Sequence, residues 1–193
     1  MSINLNTAMI DNDFFSHAIE MNTTPNNIFR ILKEVFSELE IEPTLHPLVY
    51  QNEVLISNTI IKAVLDNNII KVASFDDIHQ NDEGKKLYYS FLITELYKKL
   101  TGLEPDLQND TVFSFWKKGM SLGEIHSLTT CLICGCSIFL SDDGDSQRLK
   151  HIIENNSLDK VEVHNRQAVV DMIREKGTIL ARKELRSFAH SQS

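Results

Sequence analysis

The sequence predicts an α/β fold of three layers, α/β/α, around a central parallel sheet, and three observations support this. Short uncharged or β-branched runs alternate with longer segments of helical periodicity, acids close two of those runs, and Gly or Asn punctuates the joins. Strands alternating with helices give right-handed crossovers that cover a parallel sheet on both faces.

Residues 8–15 read as a short buried strand closing in acids. Asn26 then caps a helix on which Ile28, Ile31, Leu32, Val35, Phe36 and Leu39 keep helical spacing, and residues 41–47 break it. A second helix over 48–65 carries Val49, Val54, Ile60, Ile61, Val64 and Leu65, and Asn67-Asn68 ends it before 69–73, a β-branched run read as the second strand. Residues 82–100 form a helix with Leu87, Phe91, Ile93, Leu96, Tyr97 and Leu100 facing inward. A loop follows, 111–118 fits no single element, and 122–134 is a helix stopped by Gly135. The uncharged strand 136–140 runs into the turn Ser141-Asp142-Asp143-Gly144, and a helix over 146–154 comes next. A short strand at 161–163 and helices over 167–175 and 179–188, separated by Gly177, complete the chain.

A length of 193 residues suits one well-buried domain, read here as 1–193 with a helical insertion at about 82–118 and a C-terminal helical tail at about 166–190. Hydrophobic residues at 42% and charged residues at 24% place the chain in the globular range and exclude a disordered one. The N-terminal stretch MSINLNTAMIDNDFF lacks a basic region and a small-residue cleavage site, so no secretory signal is expected. The longest apolar run, 128–140, is too short to span a bilayer and is interrupted by Thr129, Thr130 and Ser137. Three cysteines in CLICGC make no disulfide framework, and with no evident fourth zinc ligand they read as small core residues. The expectation is a soluble, cytoplasmic protein without membrane attachment.

A net charge of −8 argues against broad attraction to nucleic acid. The charge is uneven: from Arg166 onward six basic residues outweigh three acidic ones, a net +3 that leaves −11 on the preceding 165 residues. Arg182 and Lys183 in this basic tail are candidates for holding a phosphate backbone, with a solvated charged face as the ordinary reading. Phe113, Phe115 and Trp116 beside Lys117 and Lys118 could stack bases and hold single-stranded RNA, or simply form a packed segment with a basic tip.

The acids carry the chemistry. Asp11 closes the first strand, Glu53 sits in a helical run, Glu124 opens another helix, and Asp142 and Asp143 close a strand. Carboxylates at strand ends and helix starts of an α/β protein converge at the carboxyl edge of the sheet, where ligands bind. An oxygen-only donor set suits Mg²⁺ or Mn²⁺ rather than a zinc cage. Such ions lower the pKa of an attacking water and neutralise charge developing on a phosphoryl group. Each acid also has an ordinary role: Glu124 follows Ser121 in a capping-box pattern, the Asp pair suits a turn before Gly144, and Glu53 could be a solvated helix residue. Asp11 is the hardest to explain so, because a buried acid is costly unless satisfied. His126, two residues past Glu124, falls on another side of the helix and reads as a surface or packing residue.

MIDNDFF, HPLVYQNEVL and above all SLGEIHSLTTCLICGCSIFLSDD resemble the motifs of the PIN-domain nuclease family, which includes VapC-type toxins; the similarity spans about 8–173. The resemblance implies a parallel sheet carrying a Mg²⁺- or Mn²⁺-dependent endoribonuclease site. In it Asp11, Glu53, Glu124 and one or both of Asp142 and Asp143 hold the metal and position the attacking water, and Asp13 lines the site. It further implies an RNA substrate and leaves room for an antitoxin or other protein partner, or a homodimer, in a toxin-antitoxin or defence system. Two other readings stay open. Asp11-Asn12-Asp13 and SDDGD match the acidic motifs of haloacid-dehalogenase-like phosphatases, with Ser57 and Lys118 as candidates for the remaining groups. A non-catalytic PIN-like scaffold that binds protein through its helical insertion and tail is the third.

Overall fold

The computed structural model describes residues 3, 6–19, 25–55, 64–107, 111–156 and 160–189. Five strands, β1 (Thr7–Ile10), β2 (Glu42–Leu45), β3 (Lys71–Val72), β4 (Ile138–Leu140) and β5 (Glu162–His164), form one all-parallel sheet in the order β3-β2-β1-β4-β5. The helices are α1 (Asn12–Ile19), α2 (Pro25–Glu38), α3 (Pro47–Val49, continued by a π turn over Tyr50–Val54), α4 (Phe75–His79) and α5 (Glu83–Thr101). After them come α6 (Leu122–Cys134), α7 (Gly144–Asn155), α8 (Arg166–Lys176) and α9 (Arg182–Ala189).

The two faces of the sheet bury different rows of side chains, as the period of two along a strand requires. Leu45, Ile10 and Leu140 stand side by side in the register and pack under α1, α2, α8 and α9. Met9, Phe139 and Val163 point the other way, into a core completed by α4, α5, α6 and α7. The architecture is therefore a three-layer α/β/α fold with a central parallel sheet, consistent with a PIN-like arrangement. Among the described residues no helix is long and apolar enough to cross a membrane.

Several elements depart from the expectation. The first strand ends at Ile10, and Phe14 and Phe15 are buried residues of α1 rather than strand residues. Asn26 lies in the first turn of α2 instead of capping it, because Pro25, with its preset φ, already opens the helix. The segment read as a break contains β2. Glu42 N–H donates to Asn6 O at 2.8 Å on the β1 side, so Pro43 turns its donor-less nitrogen the other way, where β3 pairs only with Thr44 and Leu45. On α5, Leu87 and Phe91 are exposed, at 73% and 57%, and the inner face is Tyr89, Leu92, Ile93, Leu96 and Tyr97. Ile60 and Ile61 lie outside the described residues. The helix over 122–134 is as expected: Gly135 caps it at φ 72°, and its uncharged residues are buried from Leu122 to Leu132.

Candidate functional site

Strand β1 neighbours both β2 and β4, and the chain leaves β1 in one direction and returns on its other side at β4. The carboxyl ends of β1 and β4 are thus the topological switch point, where α/β sheets bind ligands. Asp11 stands there. Its N–H donates to Leu140 O at 2.9 Å, extending the β1–β4 ladder by one bond and fixing the carboxyl at the sheet edge. The side chain is 4% exposed, and its Oδ1 has no hydrogen-bond partner among the described residues.

Three further acids converge on it. Glu53 arrives from the π turn that continues α3, a kind of distortion often found at functional sites. Glu124 arrives from the first turn of α6, and Asp13 from the first turn of α1. Gly123 permits the approach: a Cβ there would lie 3.3 Å from Asp11 Oδ1, from Glu53 Oε1 and from Val49 Cγ2. Glu124 is not held in a capping box. Ser121 adopts a left-handed conformation at φ 50° and its hydroxyl donates to Asp145 at 2.6 Å, while the described capping box joins Ser74 to Asp77.

Burial raises the pKa of Asp11 well above the carboxylate range, and the neighbouring charges of Glu124, Asp13 and Glu53 raise it further. Glu53 is pushed up to about 7 by burial and then by Asp13, against a hydrogen bond from the Asn12 side chain. Burial also pushes Glu124 up to about 7, opposed by its own backbone amide and reinforced by Asp143, Glu53 and Asp13. Asp13 is raised by burial, with a hydrogen bond to Asp11 working against the shift. Several acids therefore share a volume in which their simultaneous ionisation is costly.

The adjacent Asp142 and Asp143 separate. Asp143 caps α7, accepting from Asp145 N–H at 2.7 Å, and faces a cavity of about 330 Å³ bordered by Glu53, Glu124, Trp116 and Lys117. Asp142 is tied elsewhere: its Oδ1 accepts from Arg166 N–H at 2.9 Å and its Oδ2 from the Arg166 side chain, with His17 Nδ1 3.6 Å away. Arg166 is itself buried and donates to Phe188 O at 3.1 Å, so Asp142 anchors α8 and α9 to the end of β4. Of the expected substrate-binding residues, Lys117 borders the carboxylate cavity, Arg182 lines a separate cleft, and Lys118 and Lys183 are exposed. Asp13 Oδ1 accepts a long 3.4 Å bond from Asp142 N–H. Ser57 lies outside the described residues.

Beneath the acids runs a buried polar chain that no local sequence pattern marks. Leu48 N–H donates to His46 Nδ1 at 3.2 Å, which leaves the His46 proton on Nε2, 3.0 Å from the Tyr89 hydroxyl. His126 Nε2 must donate to Phe115 O at 3.1 Å, so its Nδ1 accepts from the Tyr89 hydroxyl at 2.6 Å. Burial pushes His126 down to about 4 and His46 well below its usual value, so both rings are neutral. The His46 and His126 rings stack at 5.0 Å, and Trp116 lies parallel to His126 at 6.5 Å. The chain thus joins the start of α3, which leads to Glu53, with α6, which carries Glu124, and with the segment bearing Trp116 and Lys117. His126 is a fully buried packing residue.

The donor chemistry, an oxygen-only set with one unpartnered buried carboxylate oxygen, fits a hard divalent cation. Among the described residues no group of three or more His, Cys, Asp or Glu side chains is already arranged to hold a metal ion, so these carboxylates would have to close around one. No family model, no curated protein and no solved structure matches the chain.

Proposed function

We propose that this protein is a Mg²⁺- or Mn²⁺-dependent endoribonuclease of PIN-domain type whose chemistry is carried by its carboxylates. The observation that carries this reading is the buried Asp11 carboxyl at the switch point of the sheet, whose Oδ1 has no hydrogen-bond partner among the described residues, with Glu53 facing it across Gly123 and the charge of Glu124 beside it. An unpaired buried acid costs stability, and a bound cation would offset that cost.

Asp11, Glu53, Glu124 and Asp143 would hold the ion, which when bound would lower the pKa of an attacking water and neutralise charge on the scissile phosphate. Glu53 and Glu124, each near 7, would release protons as they become ligands at neutral pH. Lys117 would pair with a substrate phosphate at the cavity rim, and Trp116 would stack against a base. Asp142 would hold α8 and α9 in place rather than touch the ion. Cytoplasmic action, as the toxin of a toxin-antitoxin or defence pair with an antitoxin or other protein partner, belongs to the same proposal and rests on the motif resemblance.

The test is incubation with labelled single-stranded RNA and Mn²⁺, beside an Asp11→Asn, Glu124→Gln double variant and an EDTA control. Cleavage by the wild type alone supports the nuclease. Phosphate release from a generic phosphoester without RNA cleavage would instead favour the phosphatase.

A further inference from the structure

A second cavity, about 620 Å³, opens between α8 and α9 and is lined by Gln167, Arg174, Leu180, Arg182, Leu185 and Arg186. Arg182 and Arg186 are four residues apart on α9 and so project from one face, and Arg174 reaches the cleft from the last turn of α8. Two acids of these helices, Asp171 and Glu184, are already engaged. Asp171 accepts two bonds from Gln167 Nε2, both at 3.0 Å, and one from Arg174 Nη1 at 3.3 Å. Glu184 pairs with Arg30 and accepts from Ala181 N–H at 2.8 Å. Arg182 and Arg186 have no ion-pair partner among the described residues. In a chain of net charge −8, this is a marked local concentration of cations.

We propose that this cleft binds the phosphodiester backbone of single-stranded RNA. Planar guanidinium groups match phosphate oxygens through paired hydrogen bonds. The floor of the cleft is aliphatic, Leu180 and Leu185, and among the described residues no aromatic side chain lines it, so these residues offer charge to a backbone but no platform for stacking bases. Its rim begins at Gln167, next to Arg166, whose side chain is bonded to Asp142 at the carboxyl edge of the sheet. The choice of RNA as the polyanion rests on the proposed nuclease reading, but the binding itself needs no cleavage.

The experiment is fluorescence anisotropy of a labelled oligouridylate in EDTA, measured across a range of salt concentrations. Wild type is compared with an Arg182→Ala, Arg186→Ala double variant and with Lys99→Ala, which removes an exposed cation of α5 on the other face of the sheet. Two phosphates neutralised by Arg182 and Arg186 give a slope of log K against log salt of about −1.4, and the double variant should lose most of that slope and bind roughly tenfold or more weakly at low salt. Lys99→Ala should retain nearly the wild-type slope. Equal binding by wild type and the double variant, or no binding by wild type, would overturn the proposal. So would displacement of the RNA by a polyglutamate peptide at matched charge, which would make the cleft a dock for an acidic protein. Salt-dependent binding lost in the double variant supports the cleft even if Mn²⁺ produces no cleavage, so the two readings fail separately.

Discussion

Gly123 and Asp11 are in close approach: a Cβ on Gly123 would stand 3.3 Å from Asp11 Oδ1, in the gap that also admits Glu53 Oε1. Gly123→Ala gains helix propensity of up to about 1 kcal/mol but crowds both oxygens. The expected outcome is a metal-free melting temperature close to wild type, with the added stability from Mn²⁺ markedly reduced. Thermal melts with and without Mn²⁺ check this.

The crowded carboxylates set a pH dependence of known sign. Glu124 in the folded protein titrates near 7 against an ordinary value of 4.5, so its favourable protonated state is fully present below about 4.5 and is lost as the pH rises through 7. Glu124→Gln removes that loss. Its melting temperature without metal should therefore gain on wild type between pH 5 and 7 and level off above. His126, pushed down to about 4, has the opposite slope, losing stability as the pH falls from 6.5, so the difference between the two proteins is the quantity to measure.

Asp142 and Asp143 should give separable phenotypes. Arg166 is 4% exposed and depends on Asp142, so Asp142→Ala leaves a buried guanidinium without its partner, at a cost of about 3–5 kcal/mol. Asp143→Asn keeps the α7 cap and should cost little stability while weakening Mn²⁺ binding. Denaturant unfolding combined with a Mn²⁺ titration of each variant distinguishes the anchor from the ligand.

The Tyr89 hydroxyl accepts from one ring and donates to another, so Tyr89→Phe leaves His46 Nε2–H and His126 Nδ1 unsatisfied in the core. The expected loss is about 1–3 kcal/mol, read by urea unfolding at pH 7.5.

Much of this fold was legible in the chain because local signals agreed with tertiary ones. The helix over 122–134 was clear because its residues are uncharged along most of its length and Gly135 supplies the left-handed cap, and Asp11 stood out as an acid closing an apolar run. Strand β2 was hidden by Pro43, tolerated only because β3 is too short to reach it. Leu87 and Phe91 misled because α5 has apolar residues around its whole circumference, and periodicity cannot choose the buried side. The Ser121 pattern suggested a cap, but the left-handed backbone there turns the hydroxyl toward Asp145. His46, Tyr89 and His126 are far apart in sequence, and only the fold brings them into one hydrogen-bonded chain. The separation of Asp142 from Asp143 likewise depends on Arg166, twenty-odd residues away.

The most direct measurement is a calorimetric titration of Mn²⁺ into wild type and Asp11→Asn at pH 7, repeated in two buffers of different ionisation enthalpy. A carboxylate metal centre should bind Mn²⁺ in the wild type with proton release, from Glu53 and Glu124 near 7, and bind it far more weakly in the variant. Equal heats in the two proteins, or no binding by the wild type, would contradict a metal site at Asp11.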